Sequence, residues 1–126
     1  NDKVFDPLSS NVDIVAELQP KTGETVIVKK HPNAFYDTKL QTLIAGTQKQ
    51  QIIFAGFMSH MCVSSSVRAA FDLGFDSFVC HDACGTRALP NDKKEAISAE
   101  VMHETAMAAL QDRFAALVTT AELVGE

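Results

Sequence analysis

The apolar residues of this chain fall into short continuous runs separated by longer stretches with helical spacing. Thr25-Val26-Ile27-Val28 is an unbroken β-branched run that ends at Lys29-Lys30. Gln51-Ile52-Ile53-Phe54-Ala55-Gly56, Ser77-Phe78-Val79-Cys80 and Phe114 to Val118 are of the same kind. Short runs without polar alternation predict strands buried on both faces. Between them the apolar positions recur every three or four residues, the spacing of an amphipathic helix. Helices are expected at 9–18, with Val12, Val15, Ala16 and Leu18 inward, and from Thr38 to Gly46, with Leu40, Leu43, Ile44 and Ala45 inward. A third is expected from about Cys62 to Leu73, stopped by Gly74. A fourth should open at Asn91 or Asp92 and run to about Gln111, with Ala96, Ile97, Val101, Ala108 and Leu110 in the core. A last turn begins at Thr120. Pro20 to Gly23, His31-Pro32-Asn33 and Asp82 to Pro90 read as turns and loops.

Strand and helix alternate, which predicts an α/β fold with three α-β-α layers and a mostly parallel, Rossmann-like sheet. In such sheets ligands bind at the carboxyl ends of the strands. That rule points to Lys29-Lys30, to the segment from Gly56 to Cys62, and to His81 through Arg87.

Composition narrows the function. The 126 residues suffice for a single domain, read here as 1–126, and the 46% hydrophobic and 21% charged content is that of a globular chain. The net charge of −5 and the lack of a basic stripe argue against nucleic acid as partner. No apolar run approaches the roughly 20 residues that cross a bilayer, so no membrane partner is expected. The first residues, Asn1 to Pro7, contain no apolar signal segment. Three cysteines do not make a disulfide framework, which points to a reducing, cytoplasmic compartment. The chain begins with Asn1 rather than Met, and a fragment is expected.

Cys62 is the residue with the most chemistry to offer. It follows the Gly56 end of a strand and opens a helix. There the helix dipole and the unpaired N–H groups of the first turn favour the thiolate, the nucleophilic form. The same N–H groups could hold an oxyanion on a substrate carbonyl. A buried structural thiol would suit the position too, so the residues alone leave both readings open. Lys29 reads equally as a solvated strand end, and His60 as an ordinary loop residue. Cys80 and Cys84, flanking His81 and Asp82, lack the paired spacing of a metal site. No metal or other cofactor is expected.

Taken together these segments resemble the isochorismatase-like cysteine hydrolases, which include nicotinamidases and N-carbamoyl amidohydrolases. The resemblance is carried by Gly23-Glu24-Thr25-Val26-Ile27-Val28-Lys29 with Asn33-Ala34-Phe35, and by Ala55-Gly56-Phe57-Met58-Ser59-His60-Met61-Cys62-Val63. Arg68-Ala69-Ala70-Phe71-Asp72-Leu73-Gly74, Asp82-Ala83-Cys84 and Thr86-Arg87 with Leu89-Pro90 complete it. It implies an Asp–Lys–Cys triad in which Cys62 is the nucleophile and Lys29 the lysine. It also implies a cis peptide between Phe57 and Met58, with the N–H groups of Met58 and Cys62 directed at the oxyanion. Phe35, Ser59 and His60 are the expected pocket residues, a small amide the expected substrate, and a homo-oligomer the expected assembly. The family's aspartate lies on a first strand, in an Asp-x-Gln type motif that this chain lacks. That strand and the next lie between the Val26 and Ile53 strands in the family sheet, so the N-terminal strands are expected to be missing here. The resemblance thus implies hydrolysis of a C–N bond in an amide or carbamoyl substrate through a Cys62 thioester in the complete protein. The alternative is a catalytically incompetent fragment or assembly subunit without the general base.

Overall fold

A three-stranded parallel sheet organises the computed structural model, which describes residues 12–125. In chain order the elements are α1 (Leu40–Thr47), β1 (Gln51–Phe57), α2 (Ser64–Asp72), β2 (Asp76–Gly85), β3 (Leu89–Pro90), β4 (Ala96–Ile97), α3 (Ala99–Gln111), β5 (Ala116–Val118) and α4 (Thr120–Val124). The sheet order is β1-β2-β5 with both pairings parallel, while β3 and β4 form a separate antiparallel pair. Helices flank the sheet, as the alternation of strand and helix requires.

The core lies where α2 and α3 meet the sheet. Val63, Val67, Val79, Met107 and Leu110 form one buried cluster, with Phe54, Phe114 and Leu117 packed against it. On α2 and the turn before it, the buried positions are Val63, Ser66, Val67 and Ala70, a helical stripe with spacing three, four and seven. On α3, Met107 and Leu110 are buried, while Val101 is 49% exposed. Ala108, expected inward, is also exposed. The inward stripe of α3 instead carries Met102, His103 and Ala106 with Met107 and Leu110.

The long fourth helix begins later than its sequence suggested. Asn91 does not open it. Its side chain accepts from the N–H groups of Lys93 and Glu95, both at 2.9 Å, and its own N–H donates to the Glu95 carbonyl. Asparagine competes for local backbone groups in this way and stabilises a turn. The turn joins β3 to β4, and the helix starts after Ser98, whose hydroxyl accepts from the Val101 N–H. Thr119 and Glu122 form a reciprocal capping box at the start of α4.

Two further expectations are corrected. Residues 25–28 form no strand, and Val28 is 88% exposed. An extended run becomes a strand only when another strand takes up its N–H and C=O groups, and the described residues supply no ladder for it. The helix expected over 9–18 is reduced to a single 3-10 turn, Ala16–Leu18, with 9–11 outside the described residues. Conversely, β2 runs on through Gly85, into the stretch expected to be loop from Asp82. Phe54 pairs with Val79 and Gly56 with Cys84, so the ladder bulges there and then resumes to pair Phe57 with Gly85.

Candidate active site

The bulge shapes the carboxyl end of β1. Gly56 adopts φ +118°, a backbone conformation that L side chains rarely adopt, so glycine is required here. The next residue, Phe57, is 68% exposed and its ring rests on Gly85. A Cβ at Gly85 would stand 2.9 Å from the Phe57 ring, so a side chain at 85 would displace it. The Phe57–Met58 peptide is cis. Met58 and Ser59 are buried, and the chain then makes a π-helical turn over Ser59–Val63 that continues into α2. The Met58 carbonyl accepts from the N–H groups of Met61 (3.0 Å) and Val63 (3.2 Å), either side of Cys62. Val63 goes into the core, which leaves Cys62 half-buried beside the sheet end.

Lys29 reaches this sulfur from a distant part of the chain. Its Nζ lies 3.2 Å from Cys62 Sγ, 2.8 Å from the His31 carbonyl and 3.3 Å from the Pro32 carbonyl. An ammonium has three N–H donors, and these contacts occupy all of them. Among the described residues no carboxylate oxygen is paired with this ammonium. Lys30 makes no such contact, so of the two adjacent lysines only Lys29 faces the thiol.

A groove of about 330 Å³ opens on the pair. Phe35, Leu40 and Ile44 line it together with Ile52, Phe54 and Phe57 of β1, and Lys29 and Cys62 are part of its wall. Its lining is apolar and follows the edge of β1 that pairs with no strand among the described residues, the side on which the resemblance places the family's first strands. Phe35 therefore stands where a pocket residue was expected. Ser59 and His60 do not line the groove. Ser59 is fully buried, its hydroxyl donating to the Gly85 carbonyl (3.0 Å) and lying 2.7 Å from His103 Nδ1. The hydroxyl has one proton and the carbonyl can only accept, so His103 Nδ1 carries the hydrogen of the second bond. His60 is tied through Nδ1 to the Thr86 hydroxyl. Both residues brace the turn from behind. His103 lies on a face of α3 other than the one through Val101 and Ala108 that the sequence suggests is inward; its spacing of four and seven residues to Met107 and Leu110 is the signal that places it there.

The remaining acidic and thiol groups are engaged elsewhere. Asp82 accepts from the Thr120 N–H and hydroxyl (2.9 and 2.7 Å), and these bonds hold its carboxyl below the usual range. Cys80 is buried against it, and loss of water raises its thiol, with the Asp82 hydrogen bond adding to the effect. Desolvation likewise pushes the Cys84 thiol up. Both thus favour the protonated, unreactive form. Among the described residues no cluster of His, Cys, Asp and Glu is arranged to hold a metal ion.

Comparison with known proteins places the fold. The Isochorismatase domain profile matches residues 1–122. The chain belongs to the isochorismatase family. A crystal structure of an isochorismatase from Pseudomonas putida superposes with a TM-score of 0.88 at 38% identity, covering 93% of this chain and 60% of that one. A secreted isochorismatase effector of Verticillium dahliae is 36% identical over 111 residues, which is 88% of this chain and 56% of that protein. A ureidoacrylate amidohydrolase of Serratia proteamaculans is 34% identical over 71 residues, 56% of this chain and 29% of the relative. The chain thus spans well under two thirds of the length of these isochorismatase-family proteins. The mostly parallel sheet described above is shared with the Pseudomonas putida structure of the family. Among the described residues no helix is long and apolar enough to cross a membrane.

Proposed function

We propose that the whole protein is a cysteine hydrolase that cleaves a C–N bond in a small amide or carbamoyl substrate. The observation that carries this reading is the 3.2 Å contact between Lys29 Nζ and Cys62 Sγ at the carboxyl end of β1. A lysine and a cysteine 33 positions apart do not meet in this way through local chain geometry. An ammonium beside the sulfur pairs with the negative charge that a nucleophilic thiolate carries. In this reading the sulfur adds to the carbon of the substrate carbonyl. The N–H groups of Met58 and Cys62 receive the oxyanion. The tetrahedral adduct collapses with loss of ammonia or an amine, which takes up the proton released by the thiol. Water then cleaves the thioester, yielding the acid and the free thiol. The base that first accepts the thiol proton is the aspartate that the family resemblance assigns to a strand outside these residues.

The partial identity with a ureidoacrylate amidohydrolase supports amide rather than vinyl-ether chemistry. Cleavage of a vinyl ether does not need a thiol, whereas Cys62 stands at the centre of this site. Homo-oligomerisation and a cytoplasmic location belong to the same proposal and rest on the resemblance and the free thiols. The test is Cys62→Ala in the full-length protein, assayed for ammonia release from small amides and ureides. Turnover should fall to background, and retained turnover would remove the mechanism.

A further inference from the structure

We propose that Ser66 is a positioning residue that holds Lys29 against Cys62. The proposal deepens the reading above and rests on it for its functional meaning. Ser66 lies one helical turn after Cys62, on the stripe that α2 turns inward, and is only 5% exposed. A serine on that apolar stripe needs partners for its hydroxyl, since an unpaired buried polar group is costly. It finds them outside its own helix. The hydroxyl accepts from the Ala34 N–H at 3.0 Å and donates to the Pro32 carbonyl at 3.4 Å. The same Pro32 carbonyl accepts from Lys29 Nζ at 3.3 Å. One hydroxyl thereby grips the loop from both sides of Asn33 and orients a carbonyl that in turn orients the ammonium.

The grip matters because, beside the stacking of Phe35 on Phe75, it is what hydrogen-bonds this loop to α2. Lys29 itself is exposed and its strand-like neighbours Val26 and Val28 are exposed with it. Across the 30s the loop's own bonds are short-range: Asn33 Oδ1 accepts from the Phe35 N–H and the Thr38 hydroxyl donates to the Ala34 carbonyl. Those bonds shape the loop but do not tie it to the nucleophile's helix. The Ser66 pair does. A shift of about 1 Å in a positioned group is enough to cost large factors in rate, so a clamp four residues from the nucleophile is well sited to set the Lys29–Cys62 distance.

The experiment compares Ser66→Thr, Ser66→Val and Ser66→Ala, each alone and combined with Lys29→Met. Thr and Val have nearly the same shape, so the pair isolates the hydroxyl from packing. The first readout is the rate at which iodoacetamide modifies Cys62 at fixed neutral pH, followed on the Cys62 peptide by mass spectrometry so that Cys84 does not contribute. It requires no substrate and therefore stands even if the amidase reading fails. The second is kcat against KM for any amide that the parent turns over. Ser66→Val and Ser66→Ala should slow alkylation about five- to tenfold, the scale of one lost hydrogen-bonded link, and lower kcat more than they raise KM. Ser66→Thr should restore both. In the Lys29→Met background the Ser66 substitutions should have no further effect, because residues that act as a unit are not additive. Alkylation within twofold of the parent in Ser66→Val would overturn the proposal. So would an equal loss with and without Lys29, which would mean that Ser66 only supports the fold.

Discussion

Replacing Ser59 by alanine tests the support behind the turn that carries Cys62. Ser59 is fully buried and bridges two elements, donating to the Gly85 carbonyl on β2 and accepting from His103 on α3. Removing its hydroxyl leaves a carbonyl and an imidazole N–H without partners. Each unpaired buried group costs about 1–3 kcal/mol. Gly85 and His103 are half-buried, so the lower part of that range applies to each, and about 2–4 kcal/mol is expected in all. For a chain of this size that is a fall in melting temperature of roughly 10 °C. His103→Ala alone removes one donor and leaves the Ser59–Gly85 bond, so about 1 kcal/mol is expected. The two losses overlap, because Ser59→Ala has already broken the bond to His103. In a double-mutant cycle by urea denaturation the pair should therefore cost at least about 1 kcal/mol less than the sum of the singles. A Ser59→Ala variant within about 0.5 kcal/mol of the parent, or strict additivity with His103→Ala, would refute the bridge and the tautomer deduced from it.

Two further outcomes follow from the core and from α4. Leu110→Ala should lose about 2–5 kcal/mol in urea denaturation with an unchanged slope, whereas Val101→Ala, half-exposed on the same helix, should stay within about 0.5 kcal/mol; comparable losses would mean that α3 faces the other way. The depressed carboxyl of Asp82 implies stability that is complete above the ordinary value of 3.8 and is lost as pH falls through its lower folded value. The melting-temperature gap between the parent and Asp82→Asn should thus be constant above about pH 5 and close in stronger acid; a gap that widens in acid would contradict the Thr120 bonds as its cause.

Much of the fold was legible because it follows from local rules. The runs at 51–56 and 77–80 and the end of the run at 114–118 became neighbouring parallel strands, but β1 alternates exposed and half-buried positions, with Ile53 55% exposed, so it is not covered on both faces as its composition suggests. Gly74 ended α2 and Thr38 stood just before α1 for reasons contained in a few residues. The placing of Cys62 at a strand–helix junction was legible for the same kind of reason, since strand, glycine, turn and helix succeed one another within a dozen positions around it. What failed were inferences that depend on partners. Val26-Ile27-Val28 has the composition of a strand, but composition cannot supply the ladder that makes one. Asn91 could cap a helix or a hairpin turn with the same side-chain oxygen, and the choice lay with the β3–β4 pairing.

The chain by itself determined which residues could be buried, where helices could stop and which cysteine stood at a strand–helix junction. These are properties of spacing and side-chain chemistry, and they survive without knowledge of what lies across space. Only the tertiary structure decided that the Lys29 ammonium stands 3.2 Å from the sulfur, that Ser66 ties the lysine's loop to α2, and that Ser59 with His103 braces the turn from behind. Those are contacts between residues 33, 32 to 34 and 44 positions apart. Their distances are set by how helices seat on a bulged sheet, which no local periodicity encodes.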